Sequence, residues 1–120
     1  MNYLSPSEIL YTHSRVTSEI GGRDGIGDTK ILKRTVSYIK NNEVFPTLFD
    51  KAGALIFAIA KKKPFASGNL PTALTATAVF LKINKKEFDA SSLATFDFFK
   101  NSLSSASVKD ISDWLAKNCA

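Results

Sequence analysis

The sequence is poor in the residues that staple small folds or hold metals. Among its 120 residues there is one cysteine, Cys119, and one histidine, His13. A single cysteine excludes an internal disulfide and agrees with a reducing compartment. Cys119 sits one residue from the end of the sequence, with no activating partner foreseen, and reads as a bystander rather than a nucleophile. One histidine excludes a histidine-based metal cluster, and no metal site is expected from it. Long apolar runs are also missing. The longest, over 48–60, is interrupted by Asp50-Lys51 and is too short to cross a bilayer. The opening MNYLSPSEI lacks the basic-then-apolar pattern of a secretion signal, so a cytoplasmic protein without membrane association is expected. No segment alternates apolar and polar residues with a period of two, which argues against strands. There is no internal repeat, and the only biased tract is a serine-rich link over 102–107.

What is present suits an ordinary globular chain. Hydrophobic residues make up 44% and charged residues 22%. A chain of this length reads as one domain, 1–120, that buries roughly two-thirds of its unfolded surface without a staple. Sixteen basic residues against eleven acidic ones give a net charge of +5. Nucleic acid, an acidic protein or a phosphorylated ligand could each use that excess, but solubility alone accounts for it.

The periodicity predicts an all-α bundle of about six helices. Ser5, Pro6 and Glu8 form a start signal for the first, whose inner face carries Ile9, Leu10, His13, Val16 and Ile20. Gly21-Gly22 ends it. The loop over 21–28 holds four glycines, with Ile26 as an expected buried anchor. Asp28 caps a second helix running to about Lys40. The third, 47–62, is apolar on nearly every side, with Gly53 marking close helix packing. The fourth spans about 69–83 and is likewise apolar nearly all round. Asp89 is expected to cap the fifth, with Leu93, Phe96, Phe99 and Leu103 inward. Phe96, Phe98 and Phe99 read as core with one exposed ring, the alternative being that they mark a partner groove. The last helix, 107–117, buries Val108, Ile111, Trp114 and Leu115.

The stretch over 61–81, KKKPFASGNLPTALTATAVFL, organises the rest. A core helix ends at Lys61-Lys62-Lys63, a small-residue turn follows, and a second core helix begins at Asn69. A helix start with unpaired N–H groups and three lysines nearby is a natural anion site. The lysines equally suit the negative end of the third helix, Asn69 equally suits an N-cap, and Thr72 suits a local hydrogen bond within its helix. A nucleic-acid surface built on Lys61–63, Lys82, Lys85 and Lys86 is not favoured, because no aromatic residues interleave with them.

The segment KPFASGNLPTALTATAVFLKINKKEF resembles the core motif of the Fic/Doc superfamily in its death-on-curing (Doc) branch, His-Pro-Phe-x-Asp-Gly-Asn-Lys-Arg-Thr-Ala. Pro64, Phe65, Gly68, Asn69, Thr72 and Ala73 match it. Upstream, Phe45-Pro46-Thr47-Leu48 with Lys51-Ala52, the early glycine loop with Asp28, and His13 are similar to family segments. The resemblance implies a Fic-type helical bundle. It further implies an ATP- and Mg²⁺-dependent transferase that moves a phosphate or AMP group to a hydroxyl of a target protein. An antitoxin-like helix or a target protein would be its partner. Regulation is expected to come from another chain, since no extension that could carry an inhibitory helix is seen.

The departures from that motif fall on its chemistry. Lys63 stands at the position of the general-base histidine, Ser67 at the acidic residue, Leu70 at the lysine and Pro71 at the arginine. In the early loop Gly27 replaces another arginine. Lys63 is therefore the candidate catalytic residue, and Lys62, Ser67, Gly68 and Asn69 are the candidate phosphate- or nucleotide-binding residues. A lysine with a reference pKa of about 10.4 is a poor base at neutral pH. Losing general-base catalysis costs about 10²–10⁴-fold. Ser67 brings no charge to Mg²⁺, and Pro71 removes both a phosphate clamp and a backbone N–H. The expectation is a Doc-like, toxin-type protein without efficient phosphoryl or nucleotidyl transfer that acts by binding protein. The alternative is an active Doc-like transferase using Lys63.

Overall fold

The computed structural model describes residues 1–22 and 28–120, and the expected anchor Ile26 and the early-loop Gly27 lie outside them. The regular elements are six helices: α1 (Pro6–Ile20), α2 (Thr29–Tyr38), α3 (Leu48–Lys62), α4 (Asn69–Ile83), α5 (Leu93–Ser102) and α6 (Val108–Asn118). The all-α expectation holds.

Most starts follow local chemistry. Ser5 with Glu8, Thr47 with Asp50 and Ser107 with Asp110 each form a reciprocal capping box, satisfying two otherwise orphaned N–H groups per helix. Asp28 accepts from the Lys30 N–H to open α2. That helix ends at Tyr38, short of the expected Lys40, because the chain turns through Asn41. The Asn41 side chain accepts from the N–H groups of Glu43 and Val44. The expected cap of α5 is corrected. Ser92, not Asp89, is the N-cap, and Asp89 instead closes a small turn by accepting from Ser91.

The apolar α3 runs through the centre, packed by α4 and α6 and flanked by α2, while α1 lies on α4. Leu55, Ile56, Ile59, Phe80, Leu81, Ile111 and Leu115 form the innermost layer. Gly53 lies against α6 as expected. A Cβ built on it would stand 3.0 Å from the Val108 carbonyl oxygen and 3.1 Å from the Ser112 nitrogen. Beside it the Ser112 hydroxyl donates to Asp50 at 2.7 Å, tying the start of α3 to α6. Lys51 is 1% exposed, and its ammonium donates to the Ile39 carbonyl at 2.6 Å and to Asn42 at 2.9 Å. A buried charge is tolerable only with such partners. Lys51 thus fastens the turn after α2 to the central helix.

The inward stripe expected for α5 is also corrected. Phe99 is buried, but Leu93 is 74% exposed and Phe96 48% exposed. The physical reason is distance: no Cα atom of α5 comes within 8 Å of another helix. Large rings bridge the gap. Phe98 stacks on Trp114 with centroids 4.6 Å apart, and Phe99 meets the same indole edge-on at 5.3 Å. A helix held off by aromatic spacers leaves grooves along its sides.

Candidate functional site: the loop before α4 and the groove beside it

The turn between α3 and α4 is built by side chains from three directions. Lys63 ends α3 in the left-handed conformation, φ 51° and ψ 63°. Pro64 then accepts from the Asp28 N–H at 2.9 Å. The Asn69 amide folds back on Phe65, accepting from its N–H at 3.0 Å and donating to its carbonyl at 3.1 Å. Gly68 is the N-cap of α4 at φ 72°, a conformation glycine adopts without penalty. The N-cap role expected of Asn69 is therefore corrected: it is the first helical residue, and its amide closes the loop.

His13 supports the loop from beneath. The ring is 1% exposed and lies parallel to the Phe65 ring, with centroids 3.8 Å apart. Its Nε2–H donates to the Ser67 carbonyl at 2.9 Å. The Ser67 hydroxyl is packed against Gly22, where an added Cβ would come within 2.8 Å of Oγ. Ser67, Gly68 and Asn69 are thus brought together over α1. The fourth candidate, Lys62, is not. It faces a different cavity with Lys33, Arg34 and Tyr38, whereas Lys61 and Lys63 share one with Leu70, Lys100 and Leu103. Three successive lysines splay because the helix turns between them and Lys63 leaves it left-handed.

Thr72, expected to hydrogen-bond within its helix, does so only through its N–H, which donates to the Gly68 carbonyl at 3.0 Å. Its hydroxyl, like that of Thr77, is fully buried with no hydrogen-bond partner among the described residues.

The first turns of α4 also wall a groove of about 520 Å³. Leu70, Pro71, Leu74 and Thr75 form one side, Ile20 the α1 end, and Ala90, Ser91, Leu93 and Phe96 the other side. Ile20, expected on the inner face of α1, is instead 62% exposed at the groove's edge, since it is the last residue of the helix. Leu70 also belongs to the adjoining cavity of about 370 Å³, which brings Lys61, Lys63 and Lys100 to the groove's flank with no carboxylate among the described residues that line it. The Lys100 ammonium lies 5.8 Å from the Phe96 ring centroid. Of the three phenylalanines read from the sequence as possible markers of a partner groove, Phe96 lines this one and Phe98 and Phe99 do not. A second sequence signal is a surplus of apolar residues at helical spacing, Leu70 with Leu74 and Leu93 with Phe96, beyond what α5 needs for its own packing.

A family model for the Fic/DOC family matches residues 3–81. The chain belongs to the Fic/DOC family. A comparison with curated proteins returned no match. The Fic/DOC stretch takes in α1 to α3, the loop with His13 and Asn69, and α4 through Leu81, while α5 and α6 follow it. The groove thus lies between a family element, α4, and a helix beyond the matched stretch. No helix among the described residues is long and apolar enough to cross a membrane.

Proposed function

We propose that this Fic/DOC protein is a Doc-type, toxin-like member that has lost efficient phosphoryl or nucleotidyl transfer and acts by binding a partner protein. The partner presents an amphipathic helix with an acidic flank, either an antitoxin-like segment or part of a former target. The observation that carries this reading is the placement of Leu70 and Pro71. They stand where the Doc motif has a lysine and an arginine, and they form the wall of an apolar groove. A phosphate grip has become a surface for carbon.

The surroundings support the same reading. ATP with Mg²⁺ would need cations and oxygen donors converging on the start of α4. Here the Asn69 amide is spent on Phe65 and the Ser67 carbonyl on His13. Among the described residues no three carboxylate, histidine or cysteine groups gather to hold a metal. Lys63, in the position of the motif base, is exposed to solvent. These residues do not fit ATP·Mg²⁺. Charge complementarity favours an acidic partner: apolar residues of its helix fill the groove at i, i+3 and i+7, and its carboxylates meet Lys61, Lys63 and Lys100.

The test is transfer itself. Purified chain is incubated with ATP labelled at the α- or γ-phosphate and a lysate of translation components. The expected result is no label on protein above a blank. Label that appears and is abolished by Lys63→Ala or Asn69→Ala overturns the proposal in favour of an active transferase.

A further inference from the structure

A second surface, away from the groove, gathers charge of one sign around an aromatic ring. The stretch over 29–40, α2 and the turn after it, carries Lys30, Lys33, Arg34 and Lys40 and no acidic residue. Lys33, Arg34 and Tyr38 line a shallow cavity of about 600 Å³ with Thr35, Ser37 and, from the end of α3, Lys62. Among the described residues no carboxylate lines it. None of Lys33, Arg34 and Lys62 is in an ion pair, the two among the described residues being Arg15–Glu19 and Lys109–Asp113. Cations left together without counter-charge repel one another, and a bound anion relieves that repulsion.

Tyr38 makes the site more than a basic patch. The residue is 55% exposed, and its ring is braced by Phe45, whose ring crosses it at 88° with centroids 5.1 Å apart. A large ring wedged in place but open to solvent presents a flat face at little entropic cost. The Arg34 guanidinium offers a planar fork for phosphate oxygens, the two lysines supply point charges, and the Ser37 hydroxyl adds a further donor. An acidic peptide would use the cations but has no need of the ring. Phosphate and aromatic base together use both.

We propose that this cavity binds a nucleotide unit, its phosphate held by Lys33, Arg34 and Lys62 and its base stacked on Tyr38. The unit is either a free nucleotide or one residue of a single strand. The aromatic residue missing beside Lys61–63 in the sequence is supplied in space by α2.

The test uses the full chain and three probes: a mant-labelled mononucleotide, a short fluorescein-labelled single-stranded oligonucleotide, and polyglutamate as competitor. Binding is followed by fluorescence anisotropy from low to physiological salt. The expected result is salt-dependent binding of at least one nucleotide probe. Its log–log salt slope should fall by roughly 0.7 for each cation removed that contacts a single-strand phosphate. Arg34→Gln and Lys62→Gln should each weaken it, and Tyr38→Ala should weaken it at least about fivefold while leaving the far-UV spectrum unchanged. Binding of the mononucleotide identifies a free nucleotide, and binding of the oligonucleotide alone identifies a strand. Leu70→Glu, in the other groove, should leave this binding unchanged, so this proposal and the helix-docking proposal fail separately. No binding of either nucleotide probe at low salt overturns the inference. So does polyglutamate competing as well as unlabelled oligonucleotide while Tyr38→Ala binds like the parent.

Discussion

Replacing Gly53 by alanine tests how tightly the central helix is packed. In an isolated helix the change would stabilise by about 1 kcal/mol, because glycine is a poor helix former. Here the new methyl points at backbone: 3.0 Å to the Val108 carbonyl oxygen, 3.1 Å to the Ser112 nitrogen and 3.4 Å to the Ser112 Cα. Backbone cannot rotate away as a side-chain tip does, so α6 must shift by a few tenths of an ångström. The Ser112–Asp50 hydrogen bond, 2.7 Å long, spans the same contact and would be stretched. Overpacking costs about 1–3 kcal/mol, and weakening that hydrogen bond adds about 1 kcal/mol. The net expectation for Gly53→Ala is destabilisation by about 1–3 kcal/mol. That is a Tm lower by roughly 3–6 °C per kcal/mol for a chain of this size. Thermal and urea unfolding followed by circular dichroism would measure it, with the urea slope unchanged if only stability moves. Combining Gly53→Ala with Asp50→Asn should cost less than the sum of the two, since both disturb one contact. A Tm that rises in Gly53→Ala, by the amount helix propensity alone supplies, would refute the packing argument.

Other expectations follow from single residues. Burial pushes the Asp50 carboxyl up, but the Ser112 hydroxyl, contacts with Thr47 and the Lys109 charge together hold it below its ordinary value. A lowered folded pKa gives stability that is present at neutral pH and lost as pH falls through that value. Asp50→Asn should therefore be less stable by about 1 kcal/mol near pH 7, after discounting for solvent screening, with the gap closing below about pH 4. Equal gaps at both pH values, read by urea titration, would contradict this. Lys63→Gly should raise stability by about 1 kcal/mol, because only glycine holds the left-handed position without penalty. A fall in its urea midpoint would show instead that the lysine side chain holds the loop. Burial pushes the Cys119 thiol up, with Lys86 opposing, so alkylation by iodoacetamide at neutral pH should be slower than for an unfolded control peptide. A rate equal to or faster than the control would contradict that.

Much of the fold could be read from local chemistry. Ser5 with Glu8, Thr47, and Ser107 lie next to apolar periodicity, and each marks a helix start because a hydroxyl followed by an acid three residues on satisfies orphan N–H groups. Gly53 was legible because a glycine inside an apolar helix is tolerated where another backbone comes close. The start of α5 was not, since Asp89 and Ser92 are equally good caps three residues apart and only packing chooses. The site was legible in part. The Pro64–Thr72 segment pointed to the right turn and the family, but not to what its side chains do. The role of Asn69 depends on the loop doubling back to Phe65. The splaying of Lys61–Lys63 depends on which neighbours each meets, and the groove depends on how far the Phe98–Trp114 stack holds α5 away. These are tertiary distances, which periodicity does not encode.

The central claim is that the first turn of α4 now presents an apolar groove to a helix where the motif would present cations to phosphate. The most direct measurement titrates a labelled, designed amphipathic peptide into the chain, with leucines at i, i+3 and i+7 and glutamates on one flank. The same titration is run with Leu70→Glu and Leu93→Glu, the second at a position 74% exposed and so harmless to folding. Saturable binding is expected, weakened at least about tenfold by each substitution, because a carboxylate placed against the apolar stripe loses its water and meets the peptide's own acids. Binding that is indifferent to both substitutions, or absent from the parent chain, would contradict it.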